Sequence, residues 1–193
     1  DHQYLIDFSK EEQKLYLANL TQASKELQAK MNEPHIDHIA ILAALTRLRQ
    51  LCCDPRLLYD NIQKPSSKVQ ACIELVQILT EHNKKVLLFS AFTSLIDLLT
   101  QELEQNQISH YVLTGSTSKE ERRQLVHAFQ TDNTQVFLIS LKAGGTGLNL
   151  TAAEAVIHID PWWNISAQNQ ATDRAHRIGQ NANVQVYRLI MKD

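Results

Sequence analysis

The sequence predicts an α/β domain, in which helices cover both faces of a parallel sheet, preceded by an α-helical appendage. Two observations lead to this prediction. From residue 86 onward, short apolar runs alternate with longer runs that have helical spacing. The short runs are apolar at nearly every position, which is typical of parallel strands buried on both faces. A chain of 193 residues with 44% hydrophobic content can bury one such core together with an accessory segment.

The first predicted helix follows a short alternating segment. Tyr4, Ile6 and Phe8 lie on one side of this alternation. Ser9 is then followed three residues later by Glu12, which is the pattern of a capping box at the start of a helix. We therefore expect a long helix over about 9–31.

The second predicted helix covers roughly 36–52. It ends before an Asp-Pro pair at 54–55, because proline disfavours the helical conformation of the residue that precedes it. The Lys-Pro-Ser-Ser segment at 64–67 interrupts the helical pattern again and supplies a serine cap for the next helix. We therefore expect a helical appendage over 1–63 and the sheet domain over 64–193.

Strands and helices alternate through the whole sheet domain. After the helix that follows Ser66, the predicted elements are a strand at 86–90, a helix from Thr93, a strand at 111–114, a helix from Ser118, strands at 136–140 and 155–160, a helix from about Asn164 and a strand at 184–190. This alternation predicts a parallel sheet with helices on both faces.

The turns that follow the predicted strands form the candidate site, because open parallel sheets bind ligands at the carboxyl ends of their strands. Four of the five glycines of the chain lie in these turns or beside them, together with small hydroxyl residues. Backbone amides and hydroxyls in such turns can hold phosphate groups. Each turn alone is explained more simply as a connection between a strand and a helix.

A second candidate feature is a pair of arginines on one predicted helix. Gln170, Arg174 and Arg177 have the spacing i, i+4 and i+7, which places them on one stripe of the helix. A neighbouring stripe is apolar and consists of Ala167, Ala171, Ala175 and Ile178. Aligned guanidinium groups repel each other unless an anion is present, and a transferring phosphoryl group would provide one. Pairing with Asp173, or simple solvation, is the alternative.

Together these blocks resemble a known family. The segments 85–92, 113–129, 140–150, 160–164 and 170–180 resemble, in order and spacing, the helicase motifs IV, V and VI of the Swi/Snf family. The upstream segment 48–55, Leu-Arg-Gln-Leu-Cys-Cys-Asp-Pro, also resembles the helical part that precedes this domain in that family. The resemblance covers nearly the whole chain and implies a RecA-like fold.

The resemblance also implies roles for individual residues. Arg174 and Arg177 match arginine fingers that reach ATP held on another RecA-like domain, and Gln170 matches the leading glutamine of the motif. The implied residues that couple the nucleotide to DNA are Gly144, Gly145, Thr146 and Gly147. The implied DNA contacts are Ser90, Phe92, Thr114, Gly115, Ser116, Lys142 and Trp162. For Trp162 and its neighbour Trp163, packing within the domain is an equally good interpretation.

The function implied is that of the second RecA-like lobe of an ATP-dependent DNA translocase or remodeller, a DNA-dependent ATPase. Its implied partners are double-stranded DNA, an N-terminal RecA-like lobe that holds ATP and Mg²⁺, and a nucleoprotein substrate. The sequence contains no GxxxxGK[ST] motif, so we expect a fragment of a longer protein that is inactive by itself. Ile165 and Asn169 depart from the proline and the acidic residue that are common in the family.

Two other functions are compatible with the residues. The appendage over 1–63 could make the chain a regulatory docking module. Gly145 and Gly147 after a strand, with Asp160 further on, weakly resemble a nucleotide or methyl-donor site. Leu150 occupies the third glycine position of that pattern, and the acidic residue follows Gly147 by only 13 positions, where about 20 are usual.

Composition limits the remaining possibilities. The net charge of -2 provides no general basic field, so any DNA site must be a local group of basic side chains. Cys52, Cys53 and Cys72 form neither a disulfide framework nor a CxxC metal pair, and we therefore expect an intracellular protein, cytoplasmic or nuclear according to its source. His35 and His38 have no second pair nearby, so no metal site is predicted.

Overall fold

The computed structural model describes residues 2–33, 35, 37–144, 148–160 and 184–192. Its strands are β1 His2–Ile6, β2 Val86–Ser90, β3 His110–Leu113, β4 Val136–Ser140, β5 Ala155–His158 and β6 Gln185–Met191. Its α-helices are α1 Lys10–Met31, α2 His38–Cys53, α3 Ser67–Glu81, α4 Thr93–Gln105, α5 Lys119–Thr131 and α6 Leu141–Gly144. A single 3₁₀ turn over Pro55–Leu57 follows α2 in the described chain.

The six strands form one sheet in the order β1-β6-β5-β2-β4-β3, and every neighbouring pair is parallel. All residues of β2, β4 and β5 are buried, as their uninterrupted apolar sequences predict. Leu88 belongs to a core formed with α3 and α4, whereas Leu87 and Phe89 pack with Phe129 of α5 on the opposite face. The predicted fold, a parallel sheet covered by helices on both faces, is confirmed.

The helix starts follow local sequence rules. The Ser9 side chain accepts a hydrogen bond from the Glu12 N–H, and the Glu12 carboxylate accepts one from the Ser9 N–H, so the predicted capping box is present. Ser66 and Ser118 cap α3 and α5 in the same way through their hydroxyl groups. The helix expected from about Asn164 lies outside the described residues.

The N-terminal segment differs from the expected all-helical appendage in one respect. β1 is a strand, and it extends the sheet by pairing with β6, with His2 opposite Tyr187. Only Ile6 is buried in β1, while the Leu5 side chain is 60% exposed. Because Tyr4, on the same side as Ile6, is 40% exposed, this edge strand packs on the core only at its carboxyl end, and its burial does not follow the alternation in the sequence.

The appendage is joined to α3 by shared hydrogen bonds. The Glu12 carboxylate, which caps α1, also accepts hydrogen bonds from the N–H and the hydroxyl of Ser67 at the start of α3. After α2, the buried Asp54 carboxylate accepts bonds from the Ser66 N–H at 3.0 Å and from the Arg56 guanidinium at 2.8 Å. These charged bonds fix both helices of the appendage to the sheet domain.

Candidate functional site

The carboxyl ends of the central strands bring several predicted site residues together. β2 lies between β4 and β5, and Ser90 at its end is opposite Ser140 of β4. The turn after β5 contains Asp160, which contacts the turn after β2. The turn that begins at Thr114 follows β3, which pairs with β4 on the side away from β2. The edge predicted from the sequence therefore exists, and the strand order sets which turns are adjacent.

Ser90 is held inside the protein. Its hydroxyl donates to Asp160 Oδ2 at 2.9 Å, and its oxygen accepts from the Phe92 N–H at 3.0 Å. The Ala91 N–H also donates to Asp160 Oδ2 at 2.9 Å. Because the Ser90 side chain is buried, it shapes the turn from within. A direct DNA contact by the Ser90 hydroxyl stays a prediction. Phe92, the other predicted DNA contact in this turn, is half-buried.

Asp160 is an acidic residue in an unusual environment. Burial raises the pKa of its carboxyl group to about 6, against the opposing effects of the Ser90 and Ala91 hydrogen bonds. The charges of Lys68 and Arg49 also lie near enough to favour the ionised form. The sequence indicated Asp160 as the end of a strand and as the acidic residue of a weak nucleotide-site pattern, but not as a buried anchor of the turn after β2. Its one local signal is an acid placed directly after an apolar run.

The turn after β3 presents polar groups to solvent. Gly115 and Ser116 are exposed, and the Ser116 hydroxyl lies 2.9 Å from the Thr114 hydroxyl. The Thr114 N–H donates to Thr117 Oγ1 at 3.0 Å, which closes the turn. Exposed hydroxyl groups in a rigid turn are suited to binding a phosphate oxygen.

A basic groove begins beside this turn. It has a volume of about 650 Å³ and is lined by Lys119, Glu120, Arg122, Arg123, Val126, Leu148 and Asn149. Arg123 is paired with Glu120 at 2.7 Å, so its charge is partly offset. Because the net charge of the chain is -2, a nucleic-acid contact would need a local group of basic side chains, and the lysine and arginines of this groove form such a group.

The turn after β4 continues directly into α6. The Ser140 hydroxyl accepts from the Ala143 N–H at 3.2 Å, and Lys142 is exposed on this short helix. Gly144 is buried, and a Cβ atom added there would lie 2.9 Å from Cε1 of Phe89. Close packing on the sheet is therefore a sufficient reason for glycine at this position.

The remaining predicted site residues lie outside the described residues. These are Gly145, Thr146, Gly147, Trp162, Gln170, Arg174 and Arg177. Among the residues that the structure does describe, no three His, Cys, Asp or Glu side chains are grouped so that they could hold a metal ion. Within the same residues, every helix is too short or too polar to span a membrane.

The comparisons with known proteins cover almost the whole chain. Residues 67–179 match the helicase conserved C-terminal domain family. An uncharacterized ATP-dependent helicase of Mycoplasma genitalium is 40% identical over 189 residues, which are 97% of this chain and 18% of that protein. The putative ATP-dependent helicase/translocase YwqA of Bacillus subtilis is 42% identical over 156 residues, 78% of this chain and 17% of its own length. The chain thus spans less than a fifth of these curated relatives.

A solved structure agrees with the sequence matches. The Sulfolobus solfataricus SWI2/SNF2 ATPase core in complex with dsDNA superposes with a TM-score of 0.83 and 28% identity. The match covers 98% of this chain and 40% of that one. The parallel sheet described above is therefore the RecA-like sheet of these proteins. The chain belongs to the helicase conserved C-terminal domain family, and within it to the Swi/Snf type.

Proposed function

We propose that the chain is the second RecA-like lobe of a Swi/Snf-type ATP-dependent DNA translocase or remodeller. The observation that carries this proposal is the match, over 98% of the chain, to a SWI2/SNF2 core that was solved with double-stranded DNA. In the proposed motor, an N-terminal RecA-like lobe of the same polypeptide holds ATP and Mg²⁺. The present lobe closes on it and moves along the duplex, acting on a nucleoprotein inside the cell.

The proposed DNA surface is the carboxyl edge of the sheet. The exposed Gly115 and Ser116 and the half-buried Thr114 would bind the phosphate backbone, with Lys142 adding a positive charge. The turn that contains Ser90 and Phe92 would contribute backbone atoms, and Trp162 a stacking surface. Phosphate contacts of this kind position the protein on DNA without reading its sequence, as a translocase requires.

The proposed catalytic groups act on ATP across the two lobes. Arg174 and Arg177 would meet the γ-phosphate only when the lobes close, and so would stabilise the charge that develops in the transition state. Gln170 would act with these arginines at the ATP site, and the segment from Gly144 to Gly147 would couple this closure to DNA. Because the sequence lacks the P-loop motif, we expect no hydrolysis by this chain alone.

The test is steady-state ATP hydrolysis against DNA concentration, measured on the full-length protein that carries this chain. Arg174→Ala and Arg177→Ala should each lower the DNA-stimulated rate by about 10³-fold, the lower end of the effect of arginine fingers. Lysine should rescue poorly, because an ammonium group cannot form the bidentate contact. Arg47→Ala, which removes an exposed arginine of α2, is the matched control. Near-normal turnover in the two alanine variants would show that these arginines are not catalytic.

The DNA surface has a separate test. Lys142→Gln should weaken DNA binding equally for all sequences and reduce the slope of log K against log[salt] by about one. The stability of this variant should be unchanged, because Lys142 is exposed. An unchanged salt slope would remove Lys142 from the proposed surface.

A second candidate function is regulatory docking through the segment 1–63. It is favoured by large apolar side chains exposed on both helices of the appendage, including Leu17 of α1 at 53% and Ile39 of α2 at 80%. The division at residue 64 remains our proposal, supported by a family match that begins at residue 67. Ile39→Gln, which preserves α2, should abolish cross-links between the appendage and a partner if docking is its role. Unchanged cross-links would count against docking.

A further inference from the structure

The appendage contacts the candidate site through one arginine. The Arg49 guanidinium, near the end of α2, lies 5.2 Å from the centre of the Phe92 ring. Phe92 immediately precedes α4 and ends the turn that follows β2. A guanidinium over an aromatic face is an attractive contact, and it strengthens when the pair is partly removed from water. A residue of the segment 1–63 therefore contacts the carboxyl edge of the sheet.

The same turn is held from the end of β5 by Asp160. The Ser90 hydroxyl and the Ala91 N–H both donate to the Asp160 carboxylate at 2.9 Å. The charge of Arg49 lies close enough to this carboxylate to favour its ionised form. Arg49 thus interacts with this turn in two ways. Its guanidinium lies over the Phe92 ring, and its charge acts on the Asp160 carboxylate, to which the turn donates its hydrogen bonds.

The end of α2 that carries Arg49 is itself fixed. The Ser66 hydroxyl donates to the Cys53 carbonyl at 2.6 Å, one turn after Arg49, and thereby joins α2 to the start of α3. Arg56, in the turn after α2, pairs with Asp54 at 2.8 Å and with Glu102 of α4 at 3.4 Å. Because these contacts fasten the helix end to two core helices, the Arg49 side chain is anchored on a rigid support.

We propose that Arg49 is a positioning residue, which holds the turn at 90–92 in the conformation that meets the DNA backbone. This inference rests on the proposed function, and it concerns a residue outside the 67–179 segment that matches the family. Arginine suits the task because its guanidinium lies over the Phe92 ring while its charge favours the ionised Asp160 carboxylate. Lysine keeps only the charge, and glutamine keeps neither. The proposal makes DNA binding at this turn sensitive to the position of α2.

The experiment uses the full-length protein with Arg49→Gln and Arg49→Lys, and Arg47→Gln as a control on the exposed side of the same helix. We expect Arg49→Gln to raise the DNA concentration for half-maximal ATPase stimulation by about 10-fold, as for loss of a partly desolvated cation–π contact. The maximal rate should stay within about 3-fold. Arg49→Lys should fall between wild type and Arg49→Gln, and Arg47→Gln should behave as wild type.

Hydrogen exchange provides a readout that does not depend on activity. In Arg49→Gln, the amides at 91 and 92 should exchange about 10-fold faster, while those of β4 exchange at the wild-type rate. Phe92→Leu should weaken DNA stimulation in the same direction, and the double variant should be no worse than Arg49→Gln alone, because Arg49→Gln already removes the contact with the ring. Unchanged exchange at 91–92, or equal acceleration throughout the domain, would overturn the positioning role. An absence of DNA stimulation in the wild type would instead overturn the proposed function, and the exchange data would still show whether Arg49 holds the turn.

Discussion

Substitution of Asp160 by asparagine should change how stability depends on pH. Burial raises the pKa of this carboxyl group to about 6 from an ordinary value of 3.8. The folded state therefore binds more protons than the unfolded state between these two pH values. Its stability falls as pH rises through that window, because the ionised carboxylate is disfavoured inside the protein. The difference between the two pKa values corresponds to about 3 kcal/mol at pH 7.

The assay is denaturant unfolding of wild type and Asp160→Asn at intervals from pH 4 to pH 7.5. Asparagine does not titrate, and its oxygen can accept from the Ala91 N–H while the Ser90 hydroxyl accepts from its amide. Relative to wild type, the variant should gain about 2.5 kcal/mol between pH 4 and pH 7, because pH 4 already lies slightly above the pKa of the unfolded state. Asp97→Asn, which removes an exposed carboxylate of α4, should not reproduce this gain. A constant difference across the range would refute the argument from burial.

Three further predictions concern stability, and each is checked by chemical denaturation. Burial lowers the pKa of His158 to about 4, so the stability of wild type should rise by about 3 kcal/mol as pH increases from 4 to 6.5. His158→Gln should lose this rise, so its stability relative to wild type should fall with pH, whereas that of Asp160→Asn should increase. Gly144→Ala should cost about 1–3 kcal/mol, because the new methyl group would overlap the aromatic ring beneath it, whereas Gly115→Ala meets no atom within 4 Å and should cost less than about 0.5 kcal/mol. Asp54→Ala should cost about 3 kcal/mol, because Arg56 then keeps only its longer contact with Glu102 and the Ser66 N–H loses its acceptor; a loss below about 1 kcal/mol would show that this pair is not structurally important.

Elements with local signals could be predicted from the sequence. The strands β2 and β4 begin and end where their apolar runs do, and the serine caps at 9, 66 and 118 mark helix starts. These features depend on neighbouring residues, so a short window of sequence contains the information. β1 is different, because its alternating pattern does not reveal that its partner is Tyr187 and its neighbours.

The sequence predicts where in the sheet the site lies, but not which side chains contact each other there. Strand order brings the turns after β2, β3 and β4 to one edge by a general rule of parallel sheets. Which hydroxyl faces solvent depends on packing, and Ser90 is buried against Asp160 while Ser116 is exposed. The Arg49 contact with Phe92 joins two residues far apart in sequence, and no local pattern predicts it. The roles of Arg174 and Arg177 remain predictions.

The pairing of β1 with β6 has a consequence for protein synthesis. β1 is translated before the other five strands of the sheet, but the strand that completes its hydrogen bonds contains Tyr187. At about 5–20 residues per second, the ribosome needs on the order of ten seconds or more to make the intervening chain. During that time β1, with its Leu5 side chain, has no place in the sheet, whereas β2, β3, β4 and β5 can already pair. The nascent chain therefore carries an apolar strand that must avoid other chains until β6 has left the ribosome.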